Sequence, residues 1–123
     1  MSIAVEIGTA YFNAWSTKNV DKAVEYTTED VEIIGPNGTY TGHEGVHQFL
    51  DFFVSLITSV DDFTIHGDDG TATVWYDTHL TPVPSLPAGE LLTIRDGKIA
   101  QIKITFDQTP LAQAFGGEAP DHK

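Results

Sequence analysis

The order in which hydrophobic patterns appear constrains this chain most. Three stretches with apolar residues at helical spacing occupy most of the first 57 positions, and extended segments joined by turn signals follow from residue 62. That order is the signature of an α+β domain with helices packed on one face of a largely antiparallel sheet. From Ile3 to Trp15 the apolar positions Ile3, Ile7, Ala10, Tyr11, Ala14 and Trp15 form one helical stripe, with Ser2 placed to cap it. Asn19 can cap a short second helix that turns Val20, Ala23 and Val24 inward and stops at Thr27 to Asp30. Val31 to Ile34 reads as a strand, Gly35-Pro36-Asn37-Gly38 as a turn and Thr39-Tyr40 as extended chain. Thr41-Gly42-His43-Glu44 matches the capping box of a third helix. Its stripe is Val46, Phe49, Leu50, Phe53 and Ile57, with Phe52 and Leu56 widening the buried face.

Four strands are expected after that helix, over Asp62–His66, Thr71–Leu80, Leu86–Arg95 and Lys98–Asp107. Asp96-Gly97 joins the last two as a hairpin, since both central residues of such a turn need positive φ. Thr109-Pro110 can open a short terminal helix carrying Leu111 and Phe115 and stopped by Gly116-Gly117. The pattern predicts a single domain over 1–116 and a loose tail over 117–123. Six Lys and Arg against eighteen Asp and Glu give a formal charge of -12, which argues against nucleic acid and anionic membrane surfaces as partners. With no cysteine there is no disulfide framework and no thiolate chemistry, and no apolar run is long enough for a membrane span. A cytoplasmic protein is expected.

Chemistry concentrates in Thr71 to His79, a strand that carries Trp75, Asp77 and His79 on one face. Periodicity alone marks the opposite face, Ala72, Val74, Tyr76 and Leu80, as the more apolar one. A second motif, His43-Glu44-Gly45-Val46-His47, satisfies the H-E-x-x-H pattern of zinc hydrolases. It lies on the first turn of its helix, its Glu already belongs to the capping box, and no third ligand stands at a diagnostic spacing. No metal is therefore expected, and metal-assisted hydrolysis through His43 and His47 ranks last.

Several phrases, in this order, resemble the nuclear transport factor 2-like superfamily, in particular its SnoaL-like polyketide cyclase and ketosteroid isomerase relatives. They are Ala10-Tyr11-Phe12-Asn13-Ala14-Trp15, Glu29-Asp30-Val31-Glu32, Gly38-Thr39-Tyr40-Thr41-Gly42 and Arg95-Asp96-Gly97-Lys98-Ile99 with Phe106-Asp107. The resemblance implies a cystatin-like cone, with three N-terminal helices packed on a strongly curved, mostly antiparallel sheet that encloses a pocket. It also implies a homodimer through the convex sheet face. Tyr11 matches the tyrosine that donates to an enolate oxygen in ketosteroid isomerases, and Glu90 matches their second donor, a carboxylic acid kept protonated by an apolar site. His79 resembles the strand histidine of the cyclases. The isomerase base would fall on Gly35, before Pro36, and the last-strand acid of the cyclases and limonene epoxide hydrolases on Ile104, so both are missing.

Asp77 and His79 are then the acid–base pair left to act with Tyr11 and Glu90. Trp15, Trp75, Phe12, Phe49, Phe53, Ile104 and Phe106 would wall the pocket. The expected function is binding of a small molecule, with cofactor-independent isomerase, cyclase or lyase chemistry on a neutral, partly apolar carbonyl compound. The alternative is a non-catalytic module for a hydrophobic ligand.

Overall fold

Helix α1 (Ile3–Ser16) starts where the Ser2 hydroxyl accepts a hydrogen bond from the Val5 amide at 3.2 Å, as the cap pattern predicts. The computed structural model describes residues 2–36, 38–81, 83–107 and 109–114; the tail expected over 117–123, like the expected Phe115 and the Gly116-Gly117 stop, lies outside them. Helix α2 (Val20–Val24) is capped by the Asn19 side chain, which accepts from the Lys22 amide at 3.1 Å.

Strand β1 (Thr27–Gly35) begins four residues earlier than the local pattern predicts, so Thr27 to Asp30 belong to the sheet as well as ending the helix. The Thr27 hydroxyl donates to the Val24 carbonyl at 2.7 Å, and Thr27 is paired with Ile99 on the last strand. That partner is remote in sequence, which is why local signals do not announce the early start. Strand β2 (Gly38–Thr41) returns antiparallel on β1, with Glu32 opposite Thr41.

Helix α3 (Gly42–Leu56) differs from expectation at its first turn. Thr41 holds the N-cap position but its side chain makes no capping bond, and Gly42 carries φ +74. A capping box needs a helical first residue, whereas this chain swings into the helix through a left-handed glycine. Val46, Leu50 and Phe53 are buried as the stripe predicts, and Val54 joins them. Phe52 is a correction: at 45% exposure it points to solvent, because one residue before Phe53 is about 100° around the helix. Ile57 is buried as the first residue of strand β3 (Ile57–Gly67) rather than the end of the helical stripe.

Strands β4 (Thr71–Leu80), β5 (Leu86–Arg95) and β6 (Lys98–Phe106) follow as a meander, then helix α4 (Thr109–Ala114). The β5–β6 turn has positive φ at both Asp96 and Gly97, as its sequence requires. The six strands form one open mixed sheet in the order β2-β1-β6-β5-β4-β3, in which only β1 and β6 run parallel among the described pairs. Helices α1 and α3 pack on one face, so the core lies between them and the inward residues of the sheet. Among the described residues no helix is long and apolar enough to cross a membrane.

Candidate functional site

Three buried acids meet on the helix side of the sheet. Tyr11 comes from α1, Tyr76 from β4 and Glu90 from β5. Helix α1 reaches the sheet closely because Gly8 faces it; a Cβ there would lie 2.8 Å from Ile65 Cδ1 and 2.9 Å from Leu92 Cδ1. Glu90 sits opposite Val74 on β4 and Ile104 on β6, with Ala88 and Leu92 beside it on the same face of β5. The residues directly beside it in the sheet are thus apolar.

Burial pushes the Glu90 carboxyl up to about 7, offset in part by the Tyr76 hydroxyl, which donates a hydrogen bond to its Oε2. Both phenols are raised well above the usual tyrosine value, first by burial and then by the Glu90 charge. The Tyr11 hydroxyl, on a side chain only 3% exposed, has no hydrogen-bond partner among the described residues. A buried hydroxyl without a partner is costly, so a ligand oxygen placed there would be stabilised.

Rings surround this cluster. Phe12 stacks on Phe63 at 3.9 Å and lies 5.5 Å from Tyr76; Trp15 is 5.0 Å from Phe12 and 5.3 Å from Tyr76. Phe53 continues the wall to Phe49 at 6.0 Å and to Phe106 at 6.4 Å. Of the residues expected to line a pocket, Phe12, Trp15, Phe53 and Ile104 belong to the same core cluster as Tyr11, and Phe49 and Phe106 pack against it. Tyr76 and Phe63 were not among the candidates; the alternation Ala72, Val74, Tyr76, Leu80 was the signal for the first.

That alternation also corrects the placement of Trp75, Asp77 and His79. Ala72, Val74, Tyr76, Thr78 and Leu80 are buried, which turns Trp75, Asp77 and His79 to the face away from the helices, across the sheet from Tyr11 and Glu90. The apolar side of a strand wins the core because burying it stabilises most, and the polar side finds its partners outside. Trp75 is 52% exposed, with its indole over Gly89, where a Cβ would sit 3.5 Å from the ring. Asp77 accepts from the Ser85 hydroxyl, and His79 has both ring nitrogens engaged.

The H-E-x-x-H histidines are tied to other partners. His43 Nε2 lies 3.2 Å from the Thr27 carbonyl, and His47 stands between Asp21 at 3.3 Å and Asp51 at 3.4 Å. Among the described residues no three potential ligands converge on a metal position.

A family model described as a SnoaL-like domain matches residues 9–102, which spans both helix α1 and the inner sheet residues of the site. The chain belongs to the SnoaL-like domain family. This SnoaL-like chain is 33% identical to a protein of known structure from Kribbella flavida, covering 94% of this chain and 95% of that one with a TM-score of 0.89. A candidate polyketide cyclase from Xanthomonas campestris pv. campestris shares the fold at 20% identity, covering 91% and 96%, with a TM-score of 0.78. So does a Catenulispora acidiphila protein with a ketosteroid isomerase-like fold, solved with trimethylamine, at 20% identity, 96% and 98% coverage and a TM-score of 0.72. No curated protein matches the chain. The fold is shared with solved nuclear transport factor 2-like proteins, as the sequence resemblance implies.

Proposed function

We propose that this SnoaL-like protein binds a neutral, partly apolar carbonyl compound on the inner face of its sheet and moves a proton on it without a cofactor. The observation that carries this reading is the unpartnered Tyr11 hydroxyl beside a Glu90 carboxyl held at about 7. A carboxyl near 7 holds and releases a proton with equal ease at neutral pH, which suits general acid–base work. Tyr11 would donate to the ligand's carbonyl oxygen, Tyr76 would hold Glu90, and the aromatic wall would receive the apolar body. With Asp77 and His79 on the opposite face, Glu90 takes the proton-transfer role that those residues were expected to fill.

The test is titration of a panel of cyclic ketones and phenols, followed by tryptophan fluorescence and by solvent deuterium incorporation next to the carbonyl. Tyr11→Phe is expected to weaken binding about tenfold, the value of one lost hydrogen bond of roughly 1.4 kcal/mol. Glu90→Gln is expected to abolish deuterium incorporation while binding persists. Binding without incorporation in the wild type would leave the non-catalytic module as the function; unchanged affinity in Tyr11→Phe would remove Tyr11 from the site.

The outer face supports a partner. Trp75 and Leu91 are its exposed large apolar side chains, and a groove of about 460 Å³ runs between them with Gly89, Lys103 and Thr105 in its lining. A second copy of this chain fits such a surface, because the patch is apolar at its centre and polar around it. Light scattering should then give twice the 13.4 kDa chain mass, and Trp75→Glu should give the single-chain mass with the fold intact.

A further inference from the structure

Across the sheet from the buried acids, β3 carries an irregularity. The β3–β4 register shifts between Asp61 and Thr64, and Asp62 inside it has φ +59. A non-glycine residue in the left-handed region costs roughly 1–2 kcal/mol, so something must hold the bulge in place. What it sets up is an unfavourable pairing: Asp61 lies directly opposite Asp77 on β4, two carboxylates face to face.

His79 answers that pairing. Its Nε2 lies 2.7 Å from Asp61 Oδ2, and its Nδ1 lies 2.6 Å from the Pro84 carbonyl oxygen. A carbonyl and a carboxylate offer only lone pairs, so both ring nitrogens must carry protons for both bonds to form, and the ring is then an imidazolium. Asp77 receives the Ser85 hydroxyl at 2.9 Å and 3.0 Å, which anchors the same connection from the other side. The Thr58 hydroxyl donates to the His79 carbonyl at 2.9 Å, tying the start of β3 to the same point.

We propose that His79 is a proton-operated latch that fastens the β4–β5 connection to the bulged edge strand and so keeps Val83 in the core. The connection is worth fastening. Val83 is 4% exposed, and its carbonyl accepts the Leu80 amide at 2.8 Å. The titratable groups facing His79 among the described residues are Asp61 from β3 and Asp77 from its own strand; Pro84 and Ser85 contribute uncharged groups. His79 is raised above its ordinary value, first by the Pro84 carbonyl and then by Asp61.

The sign follows. A raised histidine stabilises the closed form fully below its unfolded value, and that contribution is lost as pH rises through the folded value. Deprotonation removes one of the two ring bonds and leaves Asp61 facing Asp77 without a cation between them. The latch is therefore closed below the raised titration point of His79 and released as pH rises through it.

Nuclear magnetic resonance of ¹⁵N-labelled protein tests it. His79 should titrate above the ordinary 6.5, with both ring N–H protons slowed in exchange at low pH. The hydrogen-exchange protection factor of the Leu80 amide should fall about tenfold once His79 loses its proton. Asp61→Asn, at an exposed position, should lower the His79 titration point and move the loss of Leu80 protection with it. A His79 that titrates at or below its ordinary value, or a Leu80 protection factor that stays flat through that titration, would overturn the latch.

Discussion

Glu90→Gln is expected to stabilise this protein at pH 8 by about 3 kcal/mol and to change little at pH 4. The carboxyl is raised from 4.5 to about 7 by burial. Below 4.5 the folded and unfolded chains both hold the proton, and burial carries no ionic penalty. Between 4.5 and 7 the unfolded chain gives up its proton while the folded chain keeps it, so stability falls as pH rises. Above 7 both forms are ionised, and the loss levels off at about 1.4 kcal/mol for each pH unit separating the two values. Glutamine keeps an acceptor for the Tyr76 hydroxyl and cannot ionise. Urea unfolding of both proteins at several pH values isolates the effect, because every other titrating group is common to the two. Parallel stability curves would show that Glu90 is not a buried acid. A stabilised variant that has lost deuterium incorporation would be the trade expected of a functional site, where an unfavourable group is retained for its chemistry.

Trp15→Ala is expected to cost about 3–5 kcal/mol, enough to consume a large share of the stability of a domain this size. Trp15 is 2% exposed and packs against Phe12, Tyr76 and Phe53, whose own positions leave them little room to collapse into the space. The cavity would be apolar and dry, so a small aromatic such as benzene should bind it and restore part of the loss. Ile3→Ala is the control, since that side chain lies half exposed at the start of α1, away from the outer sheet face. Denaturant midpoints read both; a cost for Trp15→Ala below about 1 kcal/mol would mean that the ring cluster repacks around the gap.

The elements whose signals are local were legible before any fold was known. Ser2 and Asn19 cap their helices with side chains three residues away from the amides they serve, and Asp96-Gly97 makes its turn with its own φ angles. The elements that depend on distant partners were misread at their ends. Thr27 enters the sheet because Ile99 is there to pair with, and Ile57 leaves the helix because Leu80 is opposite it. The start of α3 was legible, since Thr41 takes the N-cap position, but its capping bond is not made, because Gly42 brings the chain into the helix with φ +74. In the site, Tyr11, Glu90 and the aromatic residues other than Trp75 were legible as inward groups, whereas Trp75, Asp77 and His79 were not. An acid and an imidazole side by side read as machinery; that Ser85 and Asp61 satisfy them on the outside depends on neighbouring segments that no pattern within β4 reveals.

The sheet order has a consequence for how the chain is born. Strand β1 is formed early in the sequence, yet its sheet neighbour besides β2 is β6, with Ile33 beside Ile102. Until the last strand leaves the ribosome, the β1–β2 hairpin, with α3 packed on it, has an open edge. The domain must then be completed by its final strand in one late, long-range event, which makes folding slow for its size and leaves a chain cut short before Lys98 with an unpaired edge to aggregate through.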